Sequence, residues 1–278
     1  MKARLTRLPL VSITFPIHKV HEFAVEALDS LLKQTYPLIE ILFLDNSMHG
    51  LESKFDLSDQ RIRYYKLPSD YGLSQTLNFA IEHASGEYLA RMDYDDISLP
   101  NRIAHQVEFM EINRDISISG TNIIIIGSSI DDNVKPGQEV KRRFFHNEIV
   151  RNLNSNNAFF HPTVIFRLDD LRISKLRYRP KFDSAEDLDL WCRASRILKL
   201  ANLDEALLMY RLHPNQYSRL DGDTSNYVAD RIRLRHTIWL IVTRKSKLLA
   251  GLKTILKLYL RMRRLKSLRV KSQFDKFL

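Results

Sequence analysis

The sequence predicts an α/β fold in which a mostly parallel sheet is flanked by helices and followed by a basic helical tail. Three observations carry this. Over the first hundred residues, apolar, β-branched runs alternate with stretches of helical periodicity in the order strand, helix, strand, strand, helix, strand. Two of the strand-like runs end abruptly in acids, at Asp45 and at Asp93 to Asp96, and ligands of open parallel sheets bind at such strand ends. Residues 231–278 carry 15 Lys and Arg against one acid, Asp275, while the preceding 230 residues carry 28 basic and 32 acidic side chains. A mildly acidic body is thus joined to a strongly basic tail.

The elements follow in order. Val11 to Phe15 (VSITF) is a first strand that Pro16 ends. From Glu22 to Gln34, residues Phe23, Ala24, Ala27, Leu28, Leu31 and Leu32 recur at helical spacing, and Pro37 stops the helix. Ile39 to Leu44 and Arg61 to Leu67 read as the next two strands. Ser74 to Ala84 is a helix closed by Gly86, and Tyr88 to Met92 is a buried fourth strand. Pro100 opens a helix that runs to Ile112. Ile116 to Ile126 reads as one or two strands, Asp131 to Gly137 as a polar turn, and His146 to Asn157 as a helix running into an Asn-rich loop. Phe160 to Phe166 contains a further strand. The last helix of the body spans Glu186 to Leu198, with Leu188, Trp191, Cys192 and Ser195 facing inward.

Composition narrows the class. The chain has 278 residues, 44% hydrophobic and 27% charged, as in ordinary globular proteins. Its single cysteine, Cys192, excludes an intrachain disulfide and a zinc–cysteine cluster, and suits a reducing compartment. The basic start, Met1 to Pro9, leads into a strand and does not resemble a secretory signal. No window approaches the roughly 18 apolar residues of a membrane span. The expected location is cytoplasmic, peripheral on the inner face of the cytoplasmic membrane.

Asp93, Asp95 and Asp96 place three carboxylates in four positions at the end of an apolar strand. Like charges so close repel, and they lose hydration if enclosed. A divalent cation carrying a phosphate on its far side relieves both costs. The plainer alternative is an acidic loop ahead of a proline-started helix. The chain has only eight glycines and lacks dinucleotide or Walker spacings, so phosphate charge must be met by a metal or by side chains. That favours the metal. A second acidic knot, Asp183-Ser184-Ala185-Glu186-Asp187-Leu188-Asp189, lies at the first turn of the last helix. Asp183 fits an N-cap there. Glu186 and Asp187 exceed what capping needs, and a carboxylate facing a substrate hydroxyl would be a general base. His161 and His213, each followed by proline, fit either structural hydrogen bonding or ligation of a metal or anion.

These segments together resemble the family 2 glycosyltransferases, of the bacterial branch that builds capsule, lipopolysaccharide and other surface polysaccharides. The resemblance covers about Pro9 to Ser218. It runs through VSITFP, EALDSLLKQTYPLIEILFLDNS, GLSQTLNFAIEHASGEYLARMDYDDISLPNRI, HPTVIF, AEDLDLW and YRLHPNQYS in that order. It implies the GT-A fold over residues 1–220, with a nucleotide-sugar-binding half at about 9–115 and an acceptor half at 116–220. It also implies an inverting, metal-dependent transfer from a nucleotide-sugar, a UDP-sugar above all, to a glycan or lipid-linked oligosaccharide acceptor. On that resemblance Phe15, Pro16, Ile17, Asp45 and Asn78 lie at the nucleotide, with Asp45 on the uracil edge. Asp93 faces the ribose or sugar. Asp95, with Asp93 and the late His213, holds Mn2+ or Mg2+. Glu186 and Asp187 form the acceptor-side pair, with Asp187 the base. His161 and Trp191 lie on the acceptor side, Trp191 as packing behind the pair. The chain departs from the family's pattern at Leu77, where many members carry arginine, at Asn46, a frequent aspartate, and at His18-Lys19.

Without the resemblance, the acids also admit a metal-dependent nucleotidyl or phosphoryl transferase, or a non-catalytic sugar-nucleotide binder. In the tail (221–278), Leu248, Leu249, Leu252, Ile255, Leu256 and Tyr259 recur at helical spacing among Lys253, Lys257, Arg261 and Arg264. This fits an interfacial helix on anionic lipid or a helix docked on the body. Sparse aromatics disfavour nucleic acid.

Overall fold

The structure, a computed structural model, describes residues 7–19, 22–127, 135–142, 145–214, 222–244 and 254–262. Gln216, Tyr217 and Ser218, most of the expected polar turn, and Leu248, Leu249, Leu252, Lys253 and Arg264 of the tail lie outside them.

The first half is the expected alternation: β1 (Val11–Ile17), α1 (Ala24–Leu32), β2 (Ile39–Asp45), β3 (Ile62–Lys66), α2 (Leu73–His83), β4 (Tyr88–Arg91), β5 (Ile97–Ser98) and α3 (Arg102–Ile112). The second half comprises β6 (Ile116–Gly127), β7 (Glu139–Val140), α4 (His146–Asn152), β8 (Ile165–Arg167), α5 (Leu168–Ile173), α6 (Glu186–Ala194), β9 (Lys199–Leu212) and α7 (Gly222–Arg244). One sheet holds all the described strands in the order β3-β2-β1-β4-β8-β6-β9-β5, with β7 on β6. Pairing is parallel from β3 to β4 and between β6 and β9, and antiparallel where β8 joins the two halves.

Strands buried on both faces need two cores, and the period-2 alternation of β2 supplies them. Ile41 and Phe43 enter the core under α1 and α3, whereas Leu42 and Leu44 enter the core under α2 and α6. Trp191, on α6, is fully buried in the second core against Phe159 and Phe166.

Three elements differ from expectation. Pro16 does not end β1, which continues to Ile17 beside Leu44 and Asp45 of β2. Its missing N–H costs nothing there, because pairing with β4 on the other edge stops at Thr14. The fourteen-residue β9, KLANLDEALLMYRL, contains no Val, Ile or Thr, so no local signal marks it as a strand. Its conformation is imposed by the β-branched β6, along which it runs with register shifts. The short α5 is also unmarked.

Beyond the body, α7 packs on α6. A helix over residues 254–262 returns to α7, with Leu258 buried and Arg261 Nε 3.1 Å from the buried Asp230 carboxylate. No described helix is long and apolar enough to cross a membrane.

Candidate active site

Strand β4 delivers Arg91 and the acids that follow it. The Arg91 side chain is nearly fully buried and grips both oxygens of Asp93, at 2.5 Å each. The next turn is fastened from far along the chain. Strand β5 pairs with the end of β9. Arg211 donates its backbone N–H to Asp96 Oδ1 (2.9 Å) and its Nε–H to the Asp95 carbonyl (2.9 Å). His213, one residue past β9, sets its Nε2 3.0 Å from Asp95 Oδ2. The strand that the sequence did not mark is therefore what brings the late histidine to the early acids.

Asp93, Asp95 and Asp96 each offer a carboxylate oxygen within 4.8 Å of the others. Burial, then the neighbouring acids, holds the Asp96 carboxyl well above the usual carboxylate range. Burial also raises Asp93, against the opposing charge of Arg91. Asp96 Oδ2 is buried with no hydrogen-bond partner among the described residues. Converging hard oxygens, an orphaned buried oxygen and an imidazole are a donor set that fits Mn2+ or Mg2+.

Opposite these acids, α6 begins at Glu186. That residue is 6% exposed, and its carboxyl is pushed up to about 8, first by burial and then by the Asp187 charge. Asp187 is raised by burial too. Asp187 Oδ2 accepts from the Asn157 amide, and Oδ1 accepts from the Leu188 N–H at 2.5 Å. His161, on a single 3-10 turn at His161–Thr163, stands 3.8 Å from Glu186 and 3.0 Å from the Tyr178 hydroxyl. Burial, then the Arg91 charge, keeps that imidazole well below its usual range and therefore neutral. Arg91 also bears electrostatically on Glu186, Asp187 and Tyr178. One buried guanidinium thus serves both acidic clusters.

Asp183 is not the expected N-cap. Ala185 precedes the helix and makes no side-chain cap bond, while Asp183 accepts from the Ser74 hydroxyl and abuts Gly72 at the start of α2. Between them Ser184 adopts φ 79°, in the region that disfavours L side chains. The turn leading to Glu186 is thus tied to the opposite half of the sheet.

The remaining expected residues are placed as follows. Phe15 and Ile17 point into the core with no exposed surface, so β1 can offer a nucleotide only its terminal backbone and the loop beyond. Pro16 is buried between them. Asp45 is fully buried, and its oxygens accept from the Ser47 and Leu51 amides and the Tyr64 hydroxyl. Burial opposes its ionisation, yet these hydrogen bonds hold its carboxyl below the usual range. Its visible work is fastening the loop after β2. Asn78 exchanges two hydrogen bonds with the Tyr178 backbone, 2.8 and 2.9 Å, joining α2 to the segment ahead of α6. Trp191 meets His161 edge-on at 5.9 Å, beneath the surface.

Sequence reasoning passed over Arg91, Tyr178 and Asn157 as site residues, and saw Arg211 only as part of a late polar cluster beside His213. For Arg91 a signal existed, since an arginine inside an apolar strand is rarely buried without a partner. The roles of the others depend on loops and on β9.

The profile of the family described as glycosyl transferase family 2 matches residues 12–171, more than half of the chain and inclusive of the Asp93 to Asp96 turn. The chain belongs to glycosyl transferase family 2. It is 32% identical over 216 residues to the O-antigen biosynthesis glycosyltransferase WbnJ of Escherichia coli, covering 74% of this chain and 81% of that protein. It is 31% identical over 233 residues to an uncharacterized glycosyltransferase of Haemophilus influenzae, covering 81% and 72%. Among solved structures, the 1–349 piece of S. aureus TarS with UDP-GlcNAc matches with a TM-score of 0.62 at 16% identity, over 90% of this chain and 79% of that one. The chain spans 40% of the longer TarS chain. The mannosyltransferase PcManGT from Pyrobaculum calidifontis, with GDP-Man and Mn2+, matches with a TM-score of 0.60 at 16% identity, over 94% and 74%. These neighbours give family 2 members of this kind the GT-A fold seen here.

Proposed function

We propose that this family 2 member transfers a sugar, with inversion, from a UDP-sugar to a glycan acceptor, lipid-linked, in the assembly of a surface polysaccharide. The observation that carries the proposal is the pairing of two acidic clusters across Arg91: Asp93, Asp95, Asp96 and His213 on one side, Glu186 and Asp187 on the other. Resemblance to WbnJ supports the pathway, and the nucleotide-sugars named for TarS and PcManGT support the donor class.

Asp187 ionised is the base. It takes the proton of the acceptor hydroxyl, whose oxygen forms a bond to the anomeric carbon while the bond from that carbon to the diphosphate oxygen breaks. Neutral His161 and largely protonated Glu186 keep the surroundings of Asp187 from filling with charge. Asn157 and the Leu188 N–H aim its carboxylate. Asp93, Asp95 and His213 are the residues that hold the divalent cation, which when bound supplies positive charge to the diphosphate. Asp45 acts through the nucleotide-side loop that it fastens.

Replacing Asp95 with Asn tests the assignment. The expected outcome is loss of Mn2+-stimulated nucleotide binding, together with a drop in UDP release of at least about 100-fold, on the scale of a lost electrostatic contact. Undiminished Mn2+ dependence would overturn the metal assignment. A product that keeps the donor's anomeric configuration would overturn Asp187 as an inverting base.

We further propose that the tail rests on anionic lipid at the cytoplasmic face of the membrane. On the helix over residues 254–262, Leu256, Tyr259 and Leu260 are 58%, 49% and 55% exposed, alongside exposed Lys257. This face points away from the body because the other face is used by Leu258 and Arg261. Co-sedimentation with phosphatidylglycerol vesicles, but not with phosphatidylcholine vesicles, is the expected result. Equal partitioning to both would refute it.

A further inference from the structure

Beside Asp187 lies an open cavity of about 400 Å³, walled by Arg142, Asn152, Asn156 and Asn157 over a floor of Ile149 and Ala158. Its volume suits one or two sugar rings. Asn157 belongs to two places at once, since it lines the cavity and its amide donates to Asp187. The Asn157 side chain therefore links the cavity wall to Asp187.

Two polar groups in this wall lack hydrogen-bond partners among the described residues. Asn157 Oδ1 and Arg142 Nε are buried without a hydrogen bond. The Arg142 guanidinium carbon sits over the Phe160 ring, 4.2 Å from its centroid. No carboxylate among the described residues is within ion-pair distance of it. Neighbouring Lys141 differs, being committed at the rim to Asp204 (3.0 Å) and Glu139 (3.6 Å). Arg142 is thus a pre-oriented, partly desolvated cation with donors to spare. A planar guanidinium fork of this kind matches carboxylate or phosphate oxygens. The amides around it suit hydroxyls, which both donate and accept.

We propose that the cavity is an acceptor subsite for an anionic glycan, in which Arg142 binds a carboxylate or phosphate on the acceptor and Asn157 receives one of its hydroxyls. The proposal rests on the glycosyltransferase function above and specifies its acceptor class. Asn157, shared by subsite and base, couples recognition of the charge to placement of the reacting hydroxyl.

Binding of acceptor fragments to the full chain tests this independently of turnover, by saturation-transfer NMR titration. The probes are methyl β-glucuronide, its neutral counterpart methyl β-glucoside, N-acetylglucosamine 1-phosphate and inorganic phosphate. At least one of the two charged sugars should bind 10-fold or more tightly than the glucoside, and which one does so identifies carboxylate or phosphate as the ligand. Arg142→Gln should bring that preference to parity, and Arg142→Lys should retain part of it. Equal binding of charged and neutral sugars by the wild-type chain overturns the proposal, whether or not the variants fold. So does a preference that survives in Arg142→Gln, or inorganic phosphate binding as tightly as the charged sugars. If the charged sugars bind as expected but no donor is ever turned over, the transferase function fails and the anionic subsite stands.

Discussion

At the scale of single residues, Arg91 and the Glu186–Asp187 pair decide how the site behaves. Glu186 has an ordinary value of 4.5 and is held at about 8 in the fold. Between those pH values the native state keeps a proton that the unfolded chain has lost. The resulting stabilisation is complete below pH 4.5 and disappears as pH rises toward 8. Glu186→Gln should therefore flatten the decline of Tm across this window and raise Tm at pH 8, with about 2–4 °C for each kcal/mol regained. A Tm profile parallel to that of the wild type would show the burial of Glu186 to be misjudged. Asp187→Asn should behave differently, lowering kcat by about 10²–10⁴-fold. In the wild type, kcat should climb as pH rises through the raised value of Asp187, since the base proposed above is its ionised form. Much of this was legible in the sequence: the acids at 93–96 and 186–187 stand out by their density. Arg91 was hidden in plain sight within an apolar run, and Asn157 within a polar loop, because neither spacing nor periodicity shows which carboxylate a side chain meets.

At the scale of elements, the informative joint is the one between α2 and the turn before α6. A methyl group at Gly72 would collide with the Asp183 carboxylate, which is held in place by Ser74. Gly72→Ala should destabilise the protein by about 1–3 kcal/mol, as overpacking does. It should also depress kcat, because the displaced turn carries Glu186 and Asp187. Urea unfolding and steady-state kinetics on the same preparation check both effects, and an unchanged midpoint would mean that the turn yields freely. The helices other than α5, and the first four strands, could be read from periodicity and from proline and glycine positions. The Asp183 contact could not, since an acid shortly ahead of a helix looks like a cap until the partner from α2 is seen. Strand β9 was unreadable for a different reason: its Leu- and Ala-rich sequence is compatible with helix, and only the neighbouring β6 makes it extended.

At the scale of the whole molecule, the acidic body and basic tail meet at Asp230. This fully buried acid faces Arg233 at 3.2 Å within α7 and Arg261 at 3.1 Å from the returning helix. Asp230→Ala would leave the partly buried Arg233 without its counter-ion, a change that costs about 3–5 kcal/mol when both partners are enclosed and less where one reaches water. The expected outcome is a lower Tm together with faster tryptic cleavage within 254–262. Tryptic resistance equal to the wild type would show that Leu258 alone holds the helix. The sequence made the charge partition plain by simple counting, but it could not choose between a docked and an outward-facing stripe. The structure contains both, since the 254–262 helix is fastened by one side and exposes the other.

The antiparallel pairing of β5 with the end of β9 also dictates when the site comes into being. Asp96 and Arg211 are 115 residues apart in sequence, and among the described strands β5 pairs with β9 alone. During synthesis the Asp93–Asp96 turn emerges early, alongside β1 to β4, which can pair as soon as they are made. It stays without its fastening until the chain has passed Leu212. Contacts of such long range are slow to close and come late in folding. On the metal assignment proposed above, affinity for Mn2+ should appear with the last phase of refolding, after the parallel strands have formed.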